Sequence, residues 1–298
     1  MSFRLEMLQV ARLAPNILGE AAELVREHLL RRMNPDGAFA GREGGPDLYY
    51  TVFGMEGLLA LRTDPPWERL SCWLRTFGQG ADLDFIHLCC LVRCWSAMPR
   101  GGPVLADEDR AALGERLAAW RTPDGGFHQR AGSPRCTAYG CLLGWAAHLD
   151  LRLDPPPLDA LASCLDSLRT PDGGYANEPG LPMGTVTATA AAVALHRQLR
   201  RTTPGVTGAW LLAQQHPAGG FLAFPAAPLP DLLSTAVALH ALDGMQVSYA
   251  ATRELLMDYV DSLWSAEGGF HGHWADDDLD VEYTYYGLLA LGHLAVQG

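Results

Sequence analysis

The stretch Thr122-Pro-Asp-Gly-Gly-Phe127 decides how this chain folds, because it is repeated along the sequence. Its variants are NPDGAF at 34–39, TPDGGY at 170–175, HPAGGF at 216–221 and SAEGGF at 265–270. Proline presets φ for a turn position and glycine accepts positive φ, so each copy specifies a tight turn. The first glycines, Gly37, Gly125, Gly173, Gly219 and Gly268, are spaced by 88, 48, 46 and 49 residues. The first gap is two periods of 44, and a degenerate copy, FGQG, stands at 77–80 where the missing turn belongs. Six copies at this period are the mark of a repeat architecture.

Before most turns lies an amphipathic segment. Residues 107–120 show it best, with Asp107 or Asp109 as cap and Leu113, Leu117 and Trp120 on one stripe. About ten residues after each turn comes a segment that is apolar nearly all round. Examples are DLYYTVFGMEGLLAL (47–61), CTAYGCLLGWAAHL (136–149), DLLSTAVALHAL (231–242) and DVEYTYYGLLALGHL (280–294). A helix apolar on every face is buried, and strand signals are nearly absent. The expectation is an all-α, single-domain chain over residues 1–298. An N-terminal helical segment covers 1–30, and six helical-hairpin repeats run from about 30 to 296. With apolar helices inside and amphipathic ones outside, the repeats close into an α6–α6 barrel. An open solenoid would need polar terminal caps, and the last repeat is as apolar as the others.

The 298 residues are 48% hydrophobic and carry a formal net charge of −12. That balance disfavours nucleic acid, which needs clustered Lys and Arg, and anionic lipid surfaces. The seven cysteines are scattered, with no disulfide framework or paired CxxC spacing, so a reducing, cytoplasmic setting is expected. The opening MSFRLEMLQVARLAP mixes charges at helical spacing and is not expected to be a signal peptide. No uninterrupted run of 18 apolar residues predicts a membrane span.

Aligned on a shared threonine, the apolar helices bring Thr51, Thr137, Thr235 and Thr284 into register. Four residues earlier stand Asp47, Ser133, Asp231 and Asp280, with Asp84 and Gly184 in the two other copies. All are residue types that cap helix N-termini, at ~0.5–2 kcal/mol each. One step before the threonine level lie Tyr50, His87, Cys136, Ser234 and Tyr283, expected at the barrel mouth. Loops ending there bring His128, His271, His273 and Trp274. Three residues after the threonine come Gly54, Gly140, Ala238 and Gly287. They either let helices approach closely or leave room along the axis. His87, Cys90 and Cys94 share one helix face, as a metal set or as ordinary buried thiols.

The turns and apolar helices resemble the prenyltransferase and squalene-cyclase repeat over residues 30 to 296, most nearly the β subunit of protein farnesyl- and geranylgeranyltransferases. The resemblance implies an α6–α6 barrel for an isoprenoid, clasped by a helical partner subunit. It also implies zinc held by an Asp, a Cys two residues on, and a His on the sixth inner helix. Here Asp231 matches the first, while Leu233 and Tyr283 occupy the other two positions. No metal or other cofactor is therefore expected. The family's diphosphate-binding cations fall near Cys136, Gly184, Pro225 and Pro228, so ordinary protein prenylation is not expected.

The acid-initiated terpene cyclases are the other branch. Against their DxDD motif, Asp231 keeps the first Asp and Leu233 stands in the proton donor's place. The acidic run DDDLD (276–280) reads as a solvated loop. The functional expectation is a noncanonical, zinc-independent enzyme that takes an isoprenoid or other apolar small molecule into the barrel. Its catalytic residues would be Asp231, Tyr283 and Asp280. Tyr50, His87, His128, Cys136, His271 and Trp274 would bind substrate. A non-catalytic lipid-binding or partner-subunit role is the alternative. A glycosidase-type carboxylate pair drawn from Asp231, Asp280 and Glu282 is a third reading.

Overall fold

The computed structural model describes residues 3–154 and 156–296. Three helices come first: α1 (Phe3–Ala11), α2 (Pro15–Leu18) and α3 (Ala21–Arg31). Inner and outer helices then alternate as α4 (Leu48–Ala60), α5 (Trp67–Arg75), α6 (Phe85–Ser96), α7 (Asp107–Ala118), α8 (Ala138–Asp150) and α9 (Leu158–Ser167). They continue as α10 (Val186–Gln198), α11 (Gly205–Leu212), α12 (Leu232–Gly244), α13 (Arg253–Ser262) and α14 (Val281–Val296). The inner helices α4, α6, α8, α10, α12 and α14 each pack on the next, and α14 returns to pack on α4. The ring is therefore closed, as the apolar last repeat implied.

The sequence boundary near residue 30 shifts, because α3 is an outer helix of the ring and packs on α4. The outer helices bury a stripe, as in α7 with Leu113 and Leu117. That helix starts after Ala106 without a side-chain cap, and Asp107, Glu108 and Asp109 instead fill its first turn, where acids favour the helix dipole. The only sheet among the described residues is a ribbon, β1 (Phe221–Leu222) against β2 (Pro230–Asp231).

Each turn is locked by its own residues. Gly125 sits at φ +96° and Gly173 at +101°, which favours glycine. Asp124 accepts hydrogen bonds from the Thr122 hydroxyl, the Gly126 N–H and, at 2.9 Å, the Cys136 N–H. Asp172 does the same one repeat later, with Thr170, Gly174 and Gly184. The turn aspartate thus ties the turn to the head of the following inner helix.

The register of the third inner helix is one turn later than the shared threonine suggested. Thr137 is itself the cap of α8, accepting from the Gly140 N–H, and Thr185 likewise caps α10. Counted from the caps, Thr51, Thr189, Thr235 and Thr284 are equivalent, with Cys141 in the third copy. The hydroxyls of Thr51, Thr189 and Thr235 accept the N–H of the turn aromatics Phe39, Tyr175 and Phe221 at 2.9 Å.

Seven residues beyond the caps lie Gly54, Gly144, Ala192, Ala238 and Gly287, and their small size makes room for the turn aromatic. A methyl at Gly54 would lie 2.2 Å from the Phe39 ring. Gly54→Ala is accordingly expected to cost about 1–3 kcal/mol, read as a lowered denaturation midpoint with unchanged helical circular dichroism.

Candidate active site: the barrel cavity

The caps of the inner helices ring one end of the barrel, the mouth. A cavity of about 630 Å³ there is lined by Asp47, Tyr50, His87 and Leu233. Tyr49, Tyr139, Leu142, Val237 and Tyr286 border both this space and an inner chamber of about 180 Å³. Helix α1 crosses the far end, where Phe3 and Met7 join Glu56, Arg93, Asp150 and His240 as the floor. The walls are aromatic: Tyr49 meets Phe53 edge-on at 5.0 Å, and Phe53 lies 5.4 Å from Tyr286. Such ring faces attract positive charge.

Two acids stand at the head of α14, and their environments separate them. Asp280 is 3% exposed and accepts from Arg42 Nε at 2.8 Å, while its other oxygen caps the helix through the Tyr283 N–H at 2.8 Å. Arg42 also reaches Asp276 at 3.2 Å and Asp278 at 3.4 Å, and its guanidinium lies 5.7 Å over the Tyr283 ring. The acidic run is thus gathered around a cation rather than solvated along its length.

Glu282 has no such partner. Its Oε1 accepts the Tyr49 hydroxyl at 2.6 Å. Burial pushes its carboxyl up to about 7; the Tyr49 bond opposes this and the neighbouring Asp280 charge adds to it. One carboxylate is paired with an arginine while its neighbour, paired only with a phenol, has its carboxyl pushed up to about 7, a division of labour suited to acid–base chemistry.

Arg42→Ala removes the partner of buried Asp280. Because Arg42 is 39% exposed, the expected loss is about 2 kcal/mol rather than the larger cost of a fully buried pair. Arg42 also pulls the Glu282 carboxyl downward, so its loss moves that titration to higher pH. Urea unfolding and a pH–rate profile read the two effects.

At the floor, Glu56 is 0% exposed and lies 3.5 Å from Arg4 and 3.8 Å from Arg93. Asp150 feels the charges of the same two arginines and accepts the Ser96 hydroxyl at 3.0 Å. Burial raises the carboxyls of both acids, and the arginines oppose the rise. Beside this cluster a chain of polar groups leaves the cavity. His240 Nδ1 lies 3.1 Å from His293 Nε2, and His293 Nδ1 bonds the Asp243 carboxylate. Burial, with His293 and Arg197 nearby, depresses His240 to about 3, so its imidazole is neutral.

The structure brings Tyr50 and His87 to the mouth, with His87 Nδ1 2.9 Å from Asp84. Cys90 lines the inner chamber while Cys94 packs in the core, so the proposed helix face does not gather at one point. Asp231 caps α12, with one oxygen taken by the Ser234 N–H at 2.6 Å and the other by the Ser234 hydroxyl at 2.8 Å. Burial raises its carboxyl and the Ser234 bonds oppose this. Neither Asp231 nor Glu282 borders the cavity; Leu233 does, and so does Tyr49, the partner of Glu282.

The remaining candidates lie elsewhere. His128 accepts from the Arg130 N–H within its loop, and His271 bonds the Asp278 carbonyl. Trp274 packs on Tyr259 and donates to Ser262 of α13, at the outer rim. Cys136 precedes the α8 cap and packs behind that helix with Cys141 and Cys164. Sequence reasoning missed the floor, although a signal existed: Glu56 is the one charged residue in LYYTVFGMEGLLA.

The sequence profile of the prenyltransferase alpha-alpha toroid domain matches residues 79–221 and 198–297. The chain belongs to this family. Among solved structures it is similar to the type II terpene cyclase MstE from Scytonema in complex with geranylgeranyl dihydroxybenzoate, at 14% identity and a TM-score of 0.63, covering 95% of this chain and 98% of that one. Candida albicans protein geranylgeranyltransferase-I complexed with GGPP gives 14% and 0.52, over 96% and 83%. A glycosidase in complex with glucose gives 15% and 0.59, over 97% and 98%. These likenesses establish the toroid fold, which hosts more than one chemistry. A search of curated protein sequences found no match. No helix among the described residues is long and apolar enough to cross a membrane.

Proposed function

We propose that this chain is a zinc-independent, acid-initiated cyclase of an apolar, isoprenoid-class substrate, with Glu282 as the proton donor. The observation that carries the reading is a carboxyl pushed up to about 7 and bonded to a phenol that lines an aromatic-walled cavity. Protonating an alkene demands an acid that still carries its proton at the working pH, and burial supplies that state.

The residues at the positions of the family's zinc ligands do not fit the metal. Asp231 has both oxygens engaged by Ser234, Leu233 offers no donor, and the Tyr283 ring lies beneath Arg42. No step is assigned to zinc.

In the proposed reaction the Glu282 proton reaches a terminal alkene carbon through the cavity-lining Tyr49 hydroxyl, which passes its own proton on as it takes that of Glu282, and the alkene π electrons form the new C–H bond. The resulting cation is attacked by the next double bond, closing a ring and moving the charge onward. The faces of Tyr49, Phe53, Tyr139 and Tyr286 stabilise it. We assign the final deprotonation to neutral His240, with His293 and Asp243 carrying the proton away from the cavity. Proton uptake at the mouth and release at the floor balance. Asp280 and Arg42 hold the head of α14, and Tyr50 and His87 contact the substrate's outer end. Asp231 and Tyr283 position α12 and α14 at the rim.

The test is turnover of linear polyenes, including geranylgeranyl-substituted aromatic acids, followed by chromatography and NMR of the isomeric product. The expected rate is level below pH 7 and falls about tenfold per pH unit above it, as Glu282 loses its proton. Binding of such polyenes without cyclisation at any pH would overturn the proposal.

A further inference from the structure

The second glycine of a turn faces three positions: the residue before the helix cap, the residue four beyond the cap, and one residue of an outer helix. Around Gly80 in the second copy these are Leu83, Leu88 and Leu113. Around Gly126 in the third copy all three are cysteines: Cys136, Cys141 and Cys164. Elsewhere the outer-helix position is bulky, with Trp210 over Gly174, Tyr259 over Gly220 and His28 over Gly269. Three of the chain's seven cysteines therefore occupy these three positions together in the third copy.

The thiols surround a common point. A methyl placed on Gly126 would lie 2.5 Å from Cys136 Cβ, 2.8 Å from Cys141 Sγ and 3.0 Å from Cys164 Sγ. The absence of a side chain at Gly126 leaves that space open. An Asp124 carboxylate oxygen joins Cys136 Sγ and Cys164 Sγ in a group whose atoms all lie within 4.8 Å of one another. Zn–S bonds of about 2.3 Å put tetrahedral sulfurs about 3.8 Å apart; Cys141 Sγ lies outside that group and must turn toward the Asp124 oxygen to complete the four. The Asp124 carboxylate accepts the Cys136 N–H at Oδ2 and also hydrogen-bonds the Cys136 thiol. The cysteines are buried, at 1%, 0% and 2% exposure, while Asp124 is half-buried and gives an ion a way in.

We propose that Cys136, Cys141, Cys164 and Asp124 form a closed, four-ligand site for a thiophilic divalent ion of the zinc class. It lies behind α8, apart from the barrel mouth, and staples the 122–127 turn to the head of α8 and the last turn of α9. Binding releases the thiol protons, so affinity rises with pH. With three thiolates, one carboxylate and a closed shell the site is structural, with no open position for a substrate.

The test uses the reduced full-length chain, freed of metal and titrated with Zn²⁺ and with Cd²⁺. About one ion per chain is expected, with a sulfur-to-metal charge-transfer band for Cd²⁺ and a thermal midpoint raised by the bound ion. Bound Zn²⁺ should shield Cys136, Cys141 and Cys164 from alkylation, as mapped by peptide mass spectrometry. Cys136→Ala/Cys164→Ala should lose the ion, and Asp231→Asn should keep it. Failure of the wild-type chain to retain metal, shielding of a different set of cysteines, or undiminished binding by the double variant would each overturn the proposal. The wild-type readouts stand even if the double variant does not fold.

Discussion

Glu282→Gln should reduce cyclisation by about 10²–10⁴-fold, the range ascribed to a positioned general acid, while the protein becomes more stable. Glutamine keeps the shape and can still accept the Tyr49 hydroxyl, so substrate binding should change little. The stability gain follows from the titration. The Glu282 carboxyl moves from 4.5 to about 7 on folding, so between these values the folded chain holds more protons than the unfolded one. Stability therefore falls as pH rises through this window, by up to about 3 kcal/mol once Glu282 is ionised. The variant escapes that loss, and its melting temperature should exceed the wild type's at pH 8 but not at pH 4. A fully active variant removes Glu282 as the acid, and one inactive but not stabilised at pH 8 denies that burial holds the proton.

Arg93→Met should be the most damaging single change to the fold, at about 3–5 kcal/mol. Glu56 is 0% exposed, and its Oε atoms rely on Arg93 and Arg4 for charge compensation at 3.8 and 3.5 Å. Removing Arg93 strands a carboxyl that burial already drives toward its neutral form. The double change Glu56→Leu/Arg93→Met removes both charges and should recover much of the loss, because replacing a buried pair by apolar groups is often neutral. Urea unfolding of the two single variants and the double one gives the coupling directly. An additive cycle would mean that Arg93 acts on Glu56 no more than on bulk solvent.

The fold was legible because its signals are local and repeated. Turns such as TPDGGF and helices such as DLLSTAVALHAL need only short-range rules to be read, and six copies reinforce one another. The register of the third inner helix is not legible because Thr137 is a good cap that looks like the buried threonine one turn further on, a position that here holds Cys141. The site was less legible because its parts come from distant copies. Tyr49 of α4 meets Glu282 of α14 only after ring closure, and Arg4 of α1 reaches Glu56 only because α1 folds across the floor. Asp231 drew notice through its motif, whereas its neighbours determine its chemistry: both oxygens bond Ser234. Glu282 gained its distinction from Asp280 through Arg42, 238 residues away from Asp280 in sequence.

The return of α14 onto α4 also governs how the chain comes to be made. In an open array, each new hairpin can dock on its predecessor as it leaves the ribosome. Here the seam joins the first inner helix to the last, so the greasy lumen stays uncovered along one side until the final hairpin emerges. Synthesis therefore passes through incomplete arcs prone to self-association, and deleting any one hairpin should leave no smaller ring that shuts.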